Sequence, residues 1–234
     1  MIDAGVSVHR TLAAKAEASV RNSLRLWQAA LLALVLLGSF GGARGQDSPA
    51  PPAAVEGFRE ARFGMTEAEL RQTIRKDFPA AGKLVSAVHP TEKTTVLSLT
   101  VADLLPQTGN ARISYILGHR SKRLRQVNIV WSSDGSAADD ETIVGTANSL
   151  RDYFSSEHFN PDSIVANRQL APDAILVFRA SDDHRRTVLL VLSGTIAAAR
   201  VEKKISKPPP LTLELSYIED PAHPDVFRIG KGQF

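Results

Sequence analysis

The stretch TEAELRQTIRKDFPAAGKLVSAVHPTEKTTVLSLTV, Thr66 to Val101, decides the fold, because the spacing of its apolar residues changes partway along. Leu70, Ile74 and Phe78 recur at i, i+4 and i+8, which puts them on one face of a helix. Thr66 precedes that run and Glu69 stands three residues later. This is the spacing of a capping box, in which each side chain satisfies the other residue's free amide. Met65 and Leu70 occupy the two positions of a hydrophobic staple. Arg71, Arg75 and Lys76 take the wet face, and Pro79 stops the helix. After Pro79 the period becomes 2. KLVSAV reads as a short strand, and TTVLSLTVADLL sets Leu97, Leu99 and Val101 against Ser98 and Thr100.

The same alternation continues outward. ARISYIL opposes Ile113, Tyr115 and Leu117 to Arg112, Ser114 and Ile116. RLRQVNIVW opposes Val127, Ile129 and Trp131 to Gln126, Asn128 and Val130, with GHRSK between the two strands as a hairpin turn. The helical period then returns. Acidic residues in SSDGSAADDE, including Asp139 and Asp140, stand where a helix N-terminus favours them, and Ile143, Ala147, Leu150 and Phe154 follow at helical spacing. Pro161 in FNPDS is expected to end this helix as Pro79 ends the first. SIVANRQ, AILVFRA, TVLLVLS and LTLELSYI read as four more strands, with SDDHR as a turn. The last strand sets Leu211, Leu213, Leu215 and Tyr217 against Thr212, Glu214 and Ser216.

The expected fold is therefore α+β: two helix-then-antiparallel-strands units, α-β-β-β-β repeated, with the helices packed on one face of the sheet. Leu70–Arg71 and Leu150–Arg151 mark the best-matching pieces of the repeat. The first unit covers residues 58–134 and the second 135–220, with a C-terminal tail over 221–234. FGMTEAEL, through Gly64, Met65, Thr66 and Leu70, resembles the opening of small outer-membrane-assembly envelope domains of the BamE-like type. The doubled helix-plus-sheet order is similar to that of secreted β-lactamase inhibitor proteins. The resemblance implies an envelope-accessory, binding or inhibitory role and transfers no functional residue.

The N-terminus reads as a signal peptide over residues 1–45. Arg21 and Arg25 precede the apolar run Ala29 to Leu37, and Ala43 and Gly45 are small residues at −3 and −1 of a cleavage before Gln46. The apolar run is shorter than the roughly 20 residues of a membrane span. Gln46 to Gly57, with three prolines and no apolar period, reads as a linker. The chain has no Cys, which excludes a disulfide framework, thiolate metal sites, thiol catalysis and a lipidated Cys. A cysteine-free exported domain fits a bacterial periplasm. The full chain has 28 basic and 25 acidic residues. Residues 1–45 hold five of the basic and two of the acidic ones, so the mature chain carries 23 of each. That balance takes away the main electrostatic support for a nucleic-acid reading.

No phosphate-cradling glycine loop, dinucleotide fingerprint or Gly-x-Ser-x-Gly elbow is present; LSGT around Ser193 lacks the flanking glycines. Asp182, Asp183 and His184 in SDDHRR are weak candidate metal ligands, since neighbouring residues on a strand point to opposite faces. His89, His119, His158 and His223 are scattered, and no cofactor is implied. The most unusual segment is GTIAAARVEKKISKPPP, Gly194 to Pro210, which interrupts a hairpin. Its Arg200, Lys203, Lys204 and Lys207 are candidate contacts for an envelope protein or an anionic surface, because rigid sheets display long insertions. The leading expectation is a non-enzymatic exported binding or envelope-accessory protein. The alternatives are a periplasmic hydrolase whose site is assembled from distant residues, and an inhibitor of another exported enzyme.

Overall fold

The computed structural model describes residues 51–134, 139–194, 210–230 and 232. Residues 1–45, read from the sequence as a signal peptide, and the basic residues Arg200, Lys203, Lys204 and Lys207 lie outside the described residues. In chain order the elements are β1 (Gly57–Phe58), β2 (Ala61–Arg62), α1 (Glu67–Asp77), β3 (Val85–Val88), β4 (Thr95–Ala102), β5 (Asn110–Leu117) and β6 (Leu124–Ser132). There follow α2 (Asp140–Ser156), a 3-10 turn (Pro161–Ser163), β7 (Val165–Ala171), β8 (Ala174–Ser181), β9 (Thr187–Ser193) and β10 (Thr212–Ile218). The protein is a mixed structure in which two helices accompany an eight-stranded antiparallel sheet of order β3-β4-β5-β6-β10-β9-β8-β7.

The capping box forms as the spacing requires. Thr66 N donates to Glu69 Oε2 at 2.8 Å, and Glu69 N donates to Thr66 Oγ1 at 3.4 Å. Leu70 and Ile74 are buried, and α1 closes on Phe78, just before Pro79. The second helix begins at Asp139, whose carboxylate accepts Thr142 N at 2.7 Å; that amide bond holds the carboxyl below its ordinary range. Asp139 is thus a helix cap. Pro161 does not end α2, which stops at Ser156. Phe159 turns inward, 6.3 Å from the Phe178 ring, and Pro161 then opens the 3-10 turn, where its missing N–H costs nothing.

Each half of the sheet is an up-and-down meander in sequence order, and the two meet where β6 pairs with β10. Strand alternation turns the buried apolar residues of β4, β5, β6, β9 and β10 to the same side, while the edge strands β3 and β7 are largely exposed. One register row runs Leu99, Ile113, Ile129, Leu215, Leu190, Phe178 across six strands, and all six side chains are buried. These residues form one hydrophobic cluster with Leu70, Ile74 and Phe78 of the first helical segment and Ile143, Ala147 and Phe154 of α2, which packs on β8, β9 and β10. An aromatic chain crosses the molecule through this cluster: Phe78 to Phe58 at 6.5 Å, Phe58 to Tyr217 at 5.8 Å, Tyr217 to Phe154 at 6.3 Å and Phe154 to Phe178 at 5.9 Å. Burial pushes the Tyr115 and Tyr217 phenols up from their ordinary value.

The end of the Pro/Ala-rich segment differs from a simple spacer. Val55 is buried, its N–H donates to Asp182 Oδ2 at 3.0 Å, and Ala53 N donates to His158 O at 3.0 Å. Gly57 then makes the close β1–β2 ribbon possible: its φ is 141°, and an added Cβ would collide with the Ala61 carbonyl. Val55 is buried, Ala53 half-buried and Ala54 exposed, so these apolar residues carry no period.

Candidate binding face and its arginine-lined end

The face opposite the buried row carries a row of short polar side chains. Ser98, Ser114, Asn128 and the buried Ser216 are successive register partners on β4, β5, β6 and β10, and the row runs on through Leu189 of β9 to Arg179 of β8. Ser98 Oγ and Ser114 Oγ lie 2.9 Å apart, Gln126 Nε2 donates to Asn128 Oδ1 at 2.7 Å, and Ser216 Oγ donates to Glu214 Oε1 at 3.3 Å. Val96, Ile116, Val130, Ile218 and Val191 flank this row and are half-buried. The result is a surface of mixed polarity, made by the period of 2 that Ser98 and Thr100 announce in the sequence.

At one end of this face a cavity of about 530 Å³ is walled by four arginines: Arg125 of β6, Arg179 of β8, and Arg185 and Arg186 of the β8–β9 turn. Arg125 reaches it through a bulge. Ile116 pairs with Gln126 but Leu117 pairs with Leu124, so Arg125 is the extra residue, and a bulge re-aims the side chain it carries. Arg125 Nη1 lies 2.7 Å from Glu219 Oε2, while Asp220 Oδ2 pairs with His223 Nδ1 at 3.2 Å. Glu219 Oε2 is buried and receives no directed hydrogen bond, so the contact with Arg125 is an ion pair by proximity alone. Burial raises the Glu219 carboxyl, more than Arg125 and Arg186 lower it. A second cavity of about 520 Å³ adjoins the first across Arg125, Asp220 and His223, and its floor includes Gln126 and Asn128 of the polar face.

The tail after β10 forms part of these walls because it is tied down. The Asp225 carboxylate accepts Arg120 N and Ser121 N, both at 2.9 Å, and the Asp225 carbonyl accepts His119 N at 2.8 Å. Phe227 N donates to Glu92 O at 2.8 Å, and its ring stands edge-on to His119 at 5.6 Å. Gly118 leaves the room this requires, since an added Cβ would strike the Asp225 carboxylate. Partial burial works against ionisation of Asp225, but the Ser121 and Arg120 hydrogen bonds outweigh it and hold its pKa at about 2. A carboxyl so lowered contributes stability above the ordinary Asp range, and that contribution is lost as pH falls through about 2. Asp225→Ala is expected to speed hydrogen exchange at the His119 and Phe227 amides while leaving the sheet amides protected. Unchanged protection at both would refute the latch.

The candidate metal ligands of SDDHRR do not converge. Asp182 is buried and its oxygens accept the Val55, His184 and Arg186 amides at 3.0, 2.9 and 2.9 Å, while Asp183 and His184 are exposed. Among the described residues no group of three or more His, Cys, Asp or Glu side chains is placed to hold a metal. The turn itself is as expected from the sequence, with Arg185 at φ 64° and Arg185 N donating to Asp182 O. Arg125, Arg179, Glu219 and His223 are the cavity residues that sequence reasoning missed. Only the density of charge in SDDHRR hinted at this end of the sheet.

Fold and cavities together define a mixed α+β protein with one buried sheet face, one sheet face of mixed polarity and a cationic end cleft. Comparison with known proteins finds no matching family model, no matching curated protein and no matching solved structure. Among the described residues no helix is long and apolar enough to cross a membrane.

Proposed function

We propose that the chain is an exported, periplasmic binding protein of the envelope-accessory kind, and that the polar face of its sheet receives a protein partner. The observation that carries this reading is the row Ser98, Ser114, Asn128, Ser216, bordered by half-buried aliphatic residues. Short side chains let a partner approach the sheet closely, and the aliphatic borders supply apolar contact area. Export rests on the signal-peptide reading of residues 1–45. The doubled reading is supported by the element order, a helix then four strands on either side of the β6–β10 seam, with both helices contributing to the same buried cluster. In this reading the helices cover one face of the sheet and leave the other for binding, as the resemblance to BamE-like and inhibitor domains implies. Arg200, Lys203, Lys204 and Lys207, in the chain segment between β9 and β10, remain candidate contacts.

The test is affinity capture with the tagged full-length chain from its own envelope, followed by reciprocal capture with the identified protein. Ser114→Arg and Val130→Glu are expected to abolish the pairing without lowering the thermal midpoint, and Arg168→Glu on the edge strand β7 is expected to leave it intact. A pairing indifferent to both face substitutions would overturn the reading. One observation favours the hydrolase instead: Glu219, Asp220 and His223 line one polar cavity, and the Glu219 carboxyl is raised. Turnover of an ester or glycan that disappears in Glu219→Gln would establish that alternative.

A further inference from the structure

We propose that the four-arginine cavity is a binding site for a small ligand bearing a carboxylate or phosphate group. This inference does not rest on the sheet face acting as a protein interface. Arg125, Arg179, Arg185 and Arg186 stand around the cavity, and the carboxylates that line it are Glu219 and Asp220. The wall therefore carries two more positive than negative formal charges, before either His184 or His223 is counted. The negative groups are already engaged, Glu219 with Arg125 and Asp220 with His223. Arg179, Arg185 and Arg186 form no ion pair among the described residues. Guanidiniums that share a concavity and outnumber its carboxylates repel one another, and an oxyanion relieves that repulsion. Each guanidinium also offers a planar fork of donors that matches carboxylate and phosphate oxygens.

The geometry fits a compact ligand. The cavity volume of about 530 Å³ lies within the range of small-molecule sites. Its cations come from firm parts of the fold. Arg179 is on a strand paired on both sides, Arg125 sits at a bulge held in the β5–β6 ladder, and Arg186 N is fixed to the buried Asp182 carboxylate at 2.9 Å. Such anchoring fixes the backbone positions from which these guanidiniums reach the cavity.

Inorganic phosphate and citrate serve as the two probes, titrated separately into the full-length chain at low ionic strength. Amide shifts and heat are followed together. Saturable binding of one or both probes is expected, with the largest shifts at Arg185, Arg186, Thr187 and His223. Preference for phosphate or for citrate identifies which oxyanion class the site takes. The double variant Arg179→Gln/Arg186→Gln is expected to weaken binding by about tenfold or more, as loss of charge-assisted hydrogen bonds requires. Arg168→Gln, outside the cavity, is expected to leave affinity unchanged. Phosphate or citrate should also raise the thermal midpoint of the unaltered chain, a readout independent of any variant's folding. Absence of binding by both probes, shifts centred elsewhere, or affinity unaffected by the double variant would each overturn the proposal.

Discussion

Replacing Asp182 by Ala is expected to lower stability by about 3 to 5 kcal/mol, because three backbone amides lose a charged acceptor at once. Val55, His184 and Arg186 all donate to this one buried carboxylate, and they come from two parts of the chain. The first tethers the segment before β1 to the far half of the sheet, and the other two shape the β8–β9 turn. Asp182→Asn separates these roles. Its amide oxygen can still accept His184 and Arg186, which share Oδ1, but its NH2 then faces the Val55 N–H. The Asn variant should therefore keep the turn, lose protection at the Val55 amide, and cost roughly a third to a half as much. Urea unfolding of both variants, with hydrogen exchange at Val55, checks the assignment. A loss below about 1 kcal/mol for the Ala variant would show that water replaces the carboxylate without penalty.

Phe178→Ala is the second large effect, expected at about 3 to 5 kcal/mol. The ring is fully buried, 5.9 Å from Phe154 and 6.3 Å from Phe159, and it closes the end of the six-strand row. Its removal leaves a void bordered by the rings of Phe154 in α2 and Phe159 in the segment after it. Phe178→Leu keeps most of the volume and should cost less than about 1.5 kcal/mol. Equal losses for Ala and Leu would mean that ring geometry, not filled volume, sets the stability here. Thermal or urea unfolding of the pair distinguishes the two.

Much of this fold was legible because local periods leave little choice. Leu70, Ile74 and Phe78 can share a face only as a helix, and Thr66 with Glu69 states where it starts. Leu97, Leu99, Ile113, Tyr115, Val127 and Ile129 can be buried together only as alternating strands. Pro161 was misread because proline stops a helix in one context and starts a turn in another, and Phe159 had already drawn the chain off the helix axis. In β8, Leu176, Val177 and Phe178 are all buried because the pairing with β9 shifts between Leu176 and Phe178, which simple alternation does not anticipate.

The cavity was not legible at all. Arg125, Arg179, Arg186 and Glu219 belong to different elements, and no spacing rule connects them. Asp182 looked like a ligand donor in a charged turn, and only its burial beside three amides shows it to be a structural acceptor. By itself the sequence determined which stretches are helical, which alternate and where the SDDHR turn falls, since these depend on neighbours a few positions away. Only the tertiary structure decided that β10 lies against β6, that a bulge turns Arg125 into the end cleft, and that four arginines meet there. Those outcomes depend on contacts between residues far apart in the chain, where local periodicity carries no information.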